Sequence, residues 1–180
     1  MTTYDYRALD FENVWVTADT HFGHENIRTY CKRPWPCADT MDRGILDNIN
    51  ALVGEADLLV IVGDLTMRGP TREQYVTRIV EQLPTNRIIV YGNHDRFKPS
   101  WYLRRGFLLA ATSLVLPGGV LIVHRPTDAE HWPKSRPVIC GHVHNRFKTK
   151  GNIVNAGVDI WDYKPILLND ALAQCELEGA

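Results

Sequence analysis

Five short apolar runs in this chain stop on Asp, Asn or His, and that repeated ending constrains the fold more than any other feature. Val14-Trp15-Val16 leads to Asp19-Thr20-His21, and residues 58–62 lead to Gly63-Asp64. Ile88-Ile89-Val90-Tyr91 leads to Gly92-Asn93-His94-Asp95. Val120-Leu121-Ile122-Val123 ends at His124, and Val138-Ile139-Cys140 ends at Gly141-His142-Val143-His144. Apolar, β-branched runs of this length read as short buried strands. A Gly-Asn or Gly-Asp that follows such a run puts the next side chains on a loop, and taken singly it is a plain turn signal. In open α/β sheets, ligands bind at the carboxyl edge of the strands. Five strands with the same kind of ending place one polar cluster at that edge.

The delivered groups are two Asp, one Asn and four or five His. Carboxylate oxygen with imidazole, and no thiolate, suits Mn, Fe or Zn better than a structural zinc. Seven or eight such groups are too many for one ion. They are about right for two ions that share a bridge.

The ordered set D-x-H, GD, GNHD, H and GHVH spans positions 19 to 144 and resembles the calcineurin-like metallophosphoesterase family. The resemblance implies an α/β fold, a four-layer α/β/β/α sandwich of two mixed sheets flanked by helices. It implies two divalent metal ions, Mn2+ first, with Fe or Zn as alternatives. By resemblance Asp19, His21 and His144 ligate the first ion, and Asn93, His124 and His142 the second. Asp64 bridges both, because a carboxylate has two oxygens and the charge to screen two cations. His94 stays off the ions and protonates the leaving oxygen as a general acid. Asp95 either orients His94 or holds the loop. The implied reaction is in-line attack on phosphorus by a metal-bridging hydroxide, with no Ser or Cys nucleophile.

Other residues are read as substrate contacts beside Asn93. His24 follows His21 by three residues and reaches the same pocket if a helical turn starts there; otherwise it is a hydrogen-bonded loop histidine. The span Gly63-Asp64-x-x-x-Arg68-Gly69 resembles the G-D-x-x-x-R-G run of protein phosphatases, where the arginine contacts phosphate. A guanidinium fork matches phosphate oxygens, so Arg68 is a candidate phosphate contact, against a surface arginine before Pro70. Arg28, Tyr30, Lys32, Arg33 and Trp35 form a cationic, aromatic loop at the expected entrance, able to hold a phosphate or stack a base, or simply solvated. Residues 155–165 carry Trp161 and Tyr163, read either as a wall of the substrate pocket or as a closing turn that packs its aromatics. His131 lies outside the motifs and reads as a surface histidine.

The chain of 180 residues suits one domain, 1–180. Lys+Arg of 20 against Asp+Glu of 21 gives a net charge of −1, which argues against a nucleic-acid polymer as the main partner. The start Met-Thr-Thr-Tyr-Asp-Tyr is no signal peptide, and no run reaches transmembrane length. Free thiols at Cys31, Cys37, Cys140 and Cys175 and a soluble, cytoplasmic protein are therefore expected. Asp39-Thr40 reads as an N-cap before Met41, Ile45, Leu46, Ile49, Leu52 and Val53 at helical spacing, closed by Gly54. A second helix from Pro70 or Thr71 places Tyr75, Val76, Ile79, Val80 and Leu83 on one face and stops at Pro84. Later strands fall at 113–116, 120–123, 138–140, 153–155 and 166–168, with Pro117-Gly118-Gly119 as a hairpin turn. Asn169-Asp170 caps a last helix at 171–177.

The expected activity is that of a phosphodiesterase for small diesters, nucleotides such as 2′,3′-cyclic nucleotides among them. A phosphomonoesterase or protein phosphatase is the alternative enzyme. A non-catalytic metal-binding scaffold is the alternative of another class, disfavoured because every ligand position is filled.

Overall fold

The computed structural model describes residues 11–67 and 73–178. Its strands are β1 Val14–Thr17, β2 Leu58–Ile61, β3 Arg87–Val90, β4 Leu109–Ala111, β5 Ser113–Leu116, β6 Val120–Val123, β7 Val138–Cys140, β8 Thr149–Lys150, β9 Ile153–Asn155 and β10 Ile166–Leu167. Its helices are α1 Ile27–Tyr30, α2 Ala38–Leu52, α3 Glu73–Val80, α4 Pro99–Leu103 and α5 Leu168–Leu172. One sheet runs β10-β1-β2-β3-β4, parallel except for β10. The other runs β5-β6-β7-β9-β8, with parallel pairs at its centre and antiparallel strands at both edges. Two mixed sheets with flanking helices are thus the architecture, as the family resemblance implied.

The period of two in a strand sorts each run onto two faces. Val14, Val16, Leu58, Val60, Ile88 and Val90 join Leu114, Leu116, Val120, Ile122, Ile139 and Val154 in the core between the sheets. Leu59, Ile61 and Ile89 point the other way, onto Met41, Ile45, Ile49, Val76 and Ile79 of α2 and α3. Both faces of the first sheet are therefore apolar, as parallel strands under helices require. Truncating Ile45 or Ile49 to Ala, both fully buried, should cost about 2–5 kcal/mol. The cover outside the second sheet is thinner: a 3-10 turn over Pro126–Ala129 and Trp132 pack on Leu121, Val123 and Val138.

Several local readings are corrected. Helix α2 starts one residue earlier than Asp39, after Cys37, whose side chain makes no capping bond. The Ala38 N–H is taken instead by the Glu25 carboxylate at 2.9 Å, a cap supplied from an adjacent loop. Helix α5 begins at Leu168, not at residue 171, because Leu168 is fully buried in the inter-sheet core and anchors the first turn there. Asn169 and Asp170 lie within that turn, where Asp170 suits the positive end of the helix dipole. Strands β4 and β8 escaped the sequence reading; both are short edge strands with little apolar alternation. No helix of the described residues is long and apolar enough to cross a membrane.

Candidate metal centre

Register puts the polar endings together. Val14 pairs with Leu58 and Thr17 with Ile61, so β1 and β2 deliver Asp19 and Asp64 at the same edge. Backbone bonds then fasten the loops. The Asp19 N–H donates to the Gly63 carbonyl at 3.1 Å, and the His21 N–H to the Asp64 carbonyl at 3.0 Å. The second sheet joins through the His142 N–H, which donates to the Asp19 carboxylate at 2.8 and 3.1 Å. Asp95 accepts from the Asp64 and Gly92 N–H groups at 2.8 Å each and from the Leu65 N–H at 3.1 Å. Of the two roles read for Asp95, its contacts are those of holding the loop: all three are to backbone.

The backbone here is strained. Asp19, His21, Asp64, His142 and His144 all have φ between 49° and 71°. Among the described residues only eight non-glycine residues have positive φ, and these are five of them. Such conformations cost on the order of 1–3 kcal/mol each and cluster at functional sites. Glycine supplies space as well. A Cβ on Gly63 would sit 2.3 Å from His124 Nδ1, and one on Gly92 would sit 2.1 Å from Asp64 Oδ1.

Two groups of donor atoms result. Ligand atoms of Asp19, His21 and His144 all lie within 4.8 Å of one another, and so do those of Asp64, His124 and His142. Asp64 Oδ2 stands between the groups, 3.6 Å from His21 Nε2 and 3.3 Å from His124 Nε2. Asn93 Oδ1 lies 3.2 Å from the same His124 nitrogen.

These residues fit bound cations. His21 is 2% exposed, yet neither ring nitrogen has a hydrogen-bond partner. Buried polar atoms are almost always satisfied, so this ring needs a partner that is not protein. His124 Nδ1 lies 2.9 Å from the Val62 carbonyl, which can only accept, so Nδ1 carries the proton. Its Nε2 then faces two oxygens, and only a cation, proton or metal, joins three such atoms. His144 Nδ1 donates to Asp159 at 3.1 Å, which makes Nε2 the nitrogen with the lone pair in the neutral ring.

Electrostatics agree with that reading. Burial pushes the Asp19 carboxyl up to about 6 and the His21 imidazole down to about 3. Burial also raises Asp64, but its bond to His124 and the charges of His124 and His21 outweigh this and bring it to about 2. Burial lowers His124 and His144 as well; Asp64 reverses the sign for His124, and the Asp159 bond lifts His144 to about 10. His142 is lowered, chiefly by burial. The cluster therefore stabilises positive charge at some nitrogens and keeps others neutral.

His94 is beside this cluster, with Nε2 4.0 Å from Asp64 Oδ2 and its side chain 31% exposed. Its N–H donates to Asp64 Oδ1 at 2.9 Å. His24 ends a turn closed by its N–H to the His21 carbonyl at 3.0 Å, and its ring meets that of His21 edge-on at 5.7 Å. Arg68 lies outside the described residues. His131 is exposed.

One reading needs correction, and for residues 155–165 the contacts are those of the second of the two alternatives read there, the closing turn. Arg33 is no entrance cation: it is buried, paired with Asp159, and donates to the carbonyls of Asp19 and Thr20. The 155–165 segment packs its aromatics. Tyr163 meets Trp35 edge-on at 4.5 Å, and Trp161 packs on the inter-sheet core under Lys148 Nζ at 3.9 Å. The residues missed are Asp159 and Asn155, whose amide donates to the carbonyls of His144 and Phe147. Nothing in their local spacing marks them. Cys31 also comes near the centre, with His144 and Asp159 in ligand range, although the Asp159 oxygens are already taken by Arg33.

Comparison with known proteins accords with this geometry. Residues 12–145 match the calcineurin-like phosphoesterase model. An uncharacterized protein of Methanocaldococcus jannaschii is 24% identical, over 89% of this chain and 90% of its own. The Gene 66 protein of Mycobacterium phage D29 is 26% identical, over 83% and 89%. The crystal structure of a protein of unknown function from Aquifex aeolicus superposes with a TM-score of 0.64 at 26% identity, over 85% of this chain and 94% of that one. With the family model covering most of the chain and the donor groups assembled, the chain belongs to the calcineurin-like phosphoesterase family and is a phosphoester hydrolase.

Proposed function

We propose that this protein holds two divalent ions, Mn2+ first, and hydrolyses small phosphodiesters, nucleotides such as 2′,3′-cyclic nucleotides among them, in the cytoplasm. The observation that carries this reading is the position of Asp64 Oδ2 between two histidine nitrogens, each belonging to a separate donor group. Asp19, His21 and His144 would hold one ion, Asn93, His124 and His142 the other, and Asp64 both. When bound, such ions acidify water for in-line attack and offset phosphoryl charge.

The protein's own groups do the rest. The left-handed loops and the Asp95 bonds fix the donors before any ligand arrives, so no reorganisation is needed at the moment of reaction. His94 is off both donor groups but within reach of them, and its partly exposed ring is placed to act as the general acid toward the leaving oxygen. That proton matters most for diesters, whose alkoxide leaving groups are poor. His142 and His144 are also partly exposed, so the site is open enough for a diester to enter. The four free cysteines suit a reducing compartment. A formal charge of −1 favours a small substrate over a polymer.

The test is a hydrolysis panel on chelated protein reloaded with Mn2+, comparing a diester, its matching monoester and several cyclic nucleotides. Diester turnover restored by Mn2+, with monoester turnover at least tenfold lower, is expected. Monoester preference, or full diester turnover in excess chelator, overturns the proposal.

A further inference from the structure

The buried ion pair between Arg33 and Asp159 joins positions 126 apart in sequence. The side chains are 0% and 1% exposed. Arg33 Nε donates to Asp159 Oδ1 at 2.7 Å and Nη2 to Oδ2 at 3.0 Å. The remaining guanidinium hydrogens go to the Asp19 carbonyl at 2.7 Å, the Thr20 carbonyl at 2.8 Å and Met41 Sδ at 3.4 Å. Asp159 Oδ2 also takes the His144 Nδ1 hydrogen at 3.1 Å. One pair thus touches both loops of the Asp19–His21–His144 group, one from each sheet.

Burying two full charges costs more desolvation than a well-packed apolar pair would, so stability alone does not account for it. Its contacts do account for it. A carboxylate on Nδ1 fixes the tautomer of a ligating histidine and raises the basicity of Nε2. A guanidinium that grips this carboxylate with two prongs fixes its orientation in turn. We propose that Arg33 and Asp159 are positioning residues of the metal centre: Asp159 sets the tautomer and aim of His144, and Arg33 locks Asp159 to the Asp19-Thr20-His21 loop. This rests on Asp19, His21 and His144 being ligands of one ion.

The experiment is a Co2+ titration of metal-free protein, followed by visible absorption and by elemental analysis, on wild type, Asp159→Asn, His144→Ala and the double variant. Asp159→Asn should weaken one of two ions about 10–100-fold and shift its absorption bands. The other ion, identified by its loss in His142→Ala, should be unchanged. Because Asp159 acts through His144, the double variant should bind no more weakly than His144→Ala alone. If Asp159→Asn does not accumulate as folded protein, Arg33→Lys carries the same test, because it keeps the charge but loses the fork, and the same ion should weaken. Equal weakening of both ions, or additive losses in the double variant, would mean a general structural role and overturn the proposal. Two ions bound by Asp159→Asn with wild-type affinity and spectrum overturn it alone. A wild type that binds no ion removes the ligand assignment, and this inference with it.

Discussion

The closest approach at the centre is at Gly92, and it gives a prediction with a magnitude. Gly92 has no positive φ, so its place in the motif is a matter of space and not of conformation. A Cβ there would lie 2.1 Å from Asp64 Oδ1 and 2.3 Å from the Asp64 backbone nitrogen. Ordinary contact requires the two loops to part by about 1 Å. Neither can part freely, because Asp95 holds the Gly92 and Asp64 N–H groups at 2.8 Å each. Gly92→Ala should therefore carry an overpacking cost of about 1–3 kcal/mol. Losing one hydrogen bond to a carboxylate adds about 1.5–3 kcal/mol. At roughly 2–4 °C per kcal/mol for a domain this size, the melting point should fall by about 5–24 °C. Gly118→Ala is the control: φ is 73° and nothing lies within 4 Å, so the cost is left-handed strain alone, about 1–2 kcal/mol. The assay is calorimetry in chelator and in Mn2+ at 100 times its Kd. Wild type should gain about 2.7 kcal/mol from each ion it binds. Gly118→Ala should keep this gain, and Gly92→Ala should lose most of it, since the displaced group is the carboxylate proposed to be shared. A Gly92→Ala protein that melts with Gly118→Ala and keeps the Mn2+ gain would refute the reasoning.

Asp64→Asn keeps the shape of the side chain and removes its charge; it should lose both ions or hold them at least tenfold more weakly, and elemental analysis showing two ions at wild-type affinity would count against the shared carboxylate. His94→Ala should keep both ions and slow hydrolysis of an alkyl diester by about 10²–10⁴, the usual worth of a general acid, but slow a diester with an acidic phenol leaving group far less. Equal losses on the two substrates would make His94 a phosphate contact instead. His21 carries a pH signature in chelator. Burial takes its imidazole down to about 3 in the folded state, against about 6.5 unfolded. Between those values the unfolded chain binds a proton that the folded chain does not. Its contribution to stability is therefore complete above pH 6.5 and is lost as pH falls, by up to about 1.4 kcal/mol per pH unit. His21→Asn should remove that slope, and parallel pH profiles for the two proteins would contradict it.

What was legible in the sequence follows from how each signal arises. Strands β1, β2, β3, β6 and β7 are apolar because burial is imposed on both of their faces or on most of them, and that demand shows as a continuous run. Their polar endings were legible for the same reason: a run that must be apolar makes its first polar residue conspicuous. Edge strands β4 and β8 answer to weaker demands and left weaker marks. Helix ends were misplaced where the cap came from elsewhere. Glu25 caps α2 across 13 positions, and local chemistry pointed to Asp39 instead.

At the centre the division is sharper. A candidate ligand such as Asp19, His21 or His144 advertises itself because its chemistry is unusual beside a strand. The residues that aim it do not. Arg33 is a cation among cations in a loop, and Asp159 an acid in a mixed segment. Each acquires its role only when the two sheets close and bring positions 126 apart into contact. Asp95 shows the same thing within the first sheet, where β2 and β3 pair side by side. Its sequence neighbour is His94, but its carboxylate is spent on N–H groups 30 and 31 positions back, at Leu65 and Asp64, as well as on Gly92. Sequence adjacency left two roles open, orienting His94 or holding the loop, and the contacts are those of a clasp between the loops of β2 and β3. A local motif thus identifies donors well and supports poorly, because donors are chosen for what they are and supports for what they reach.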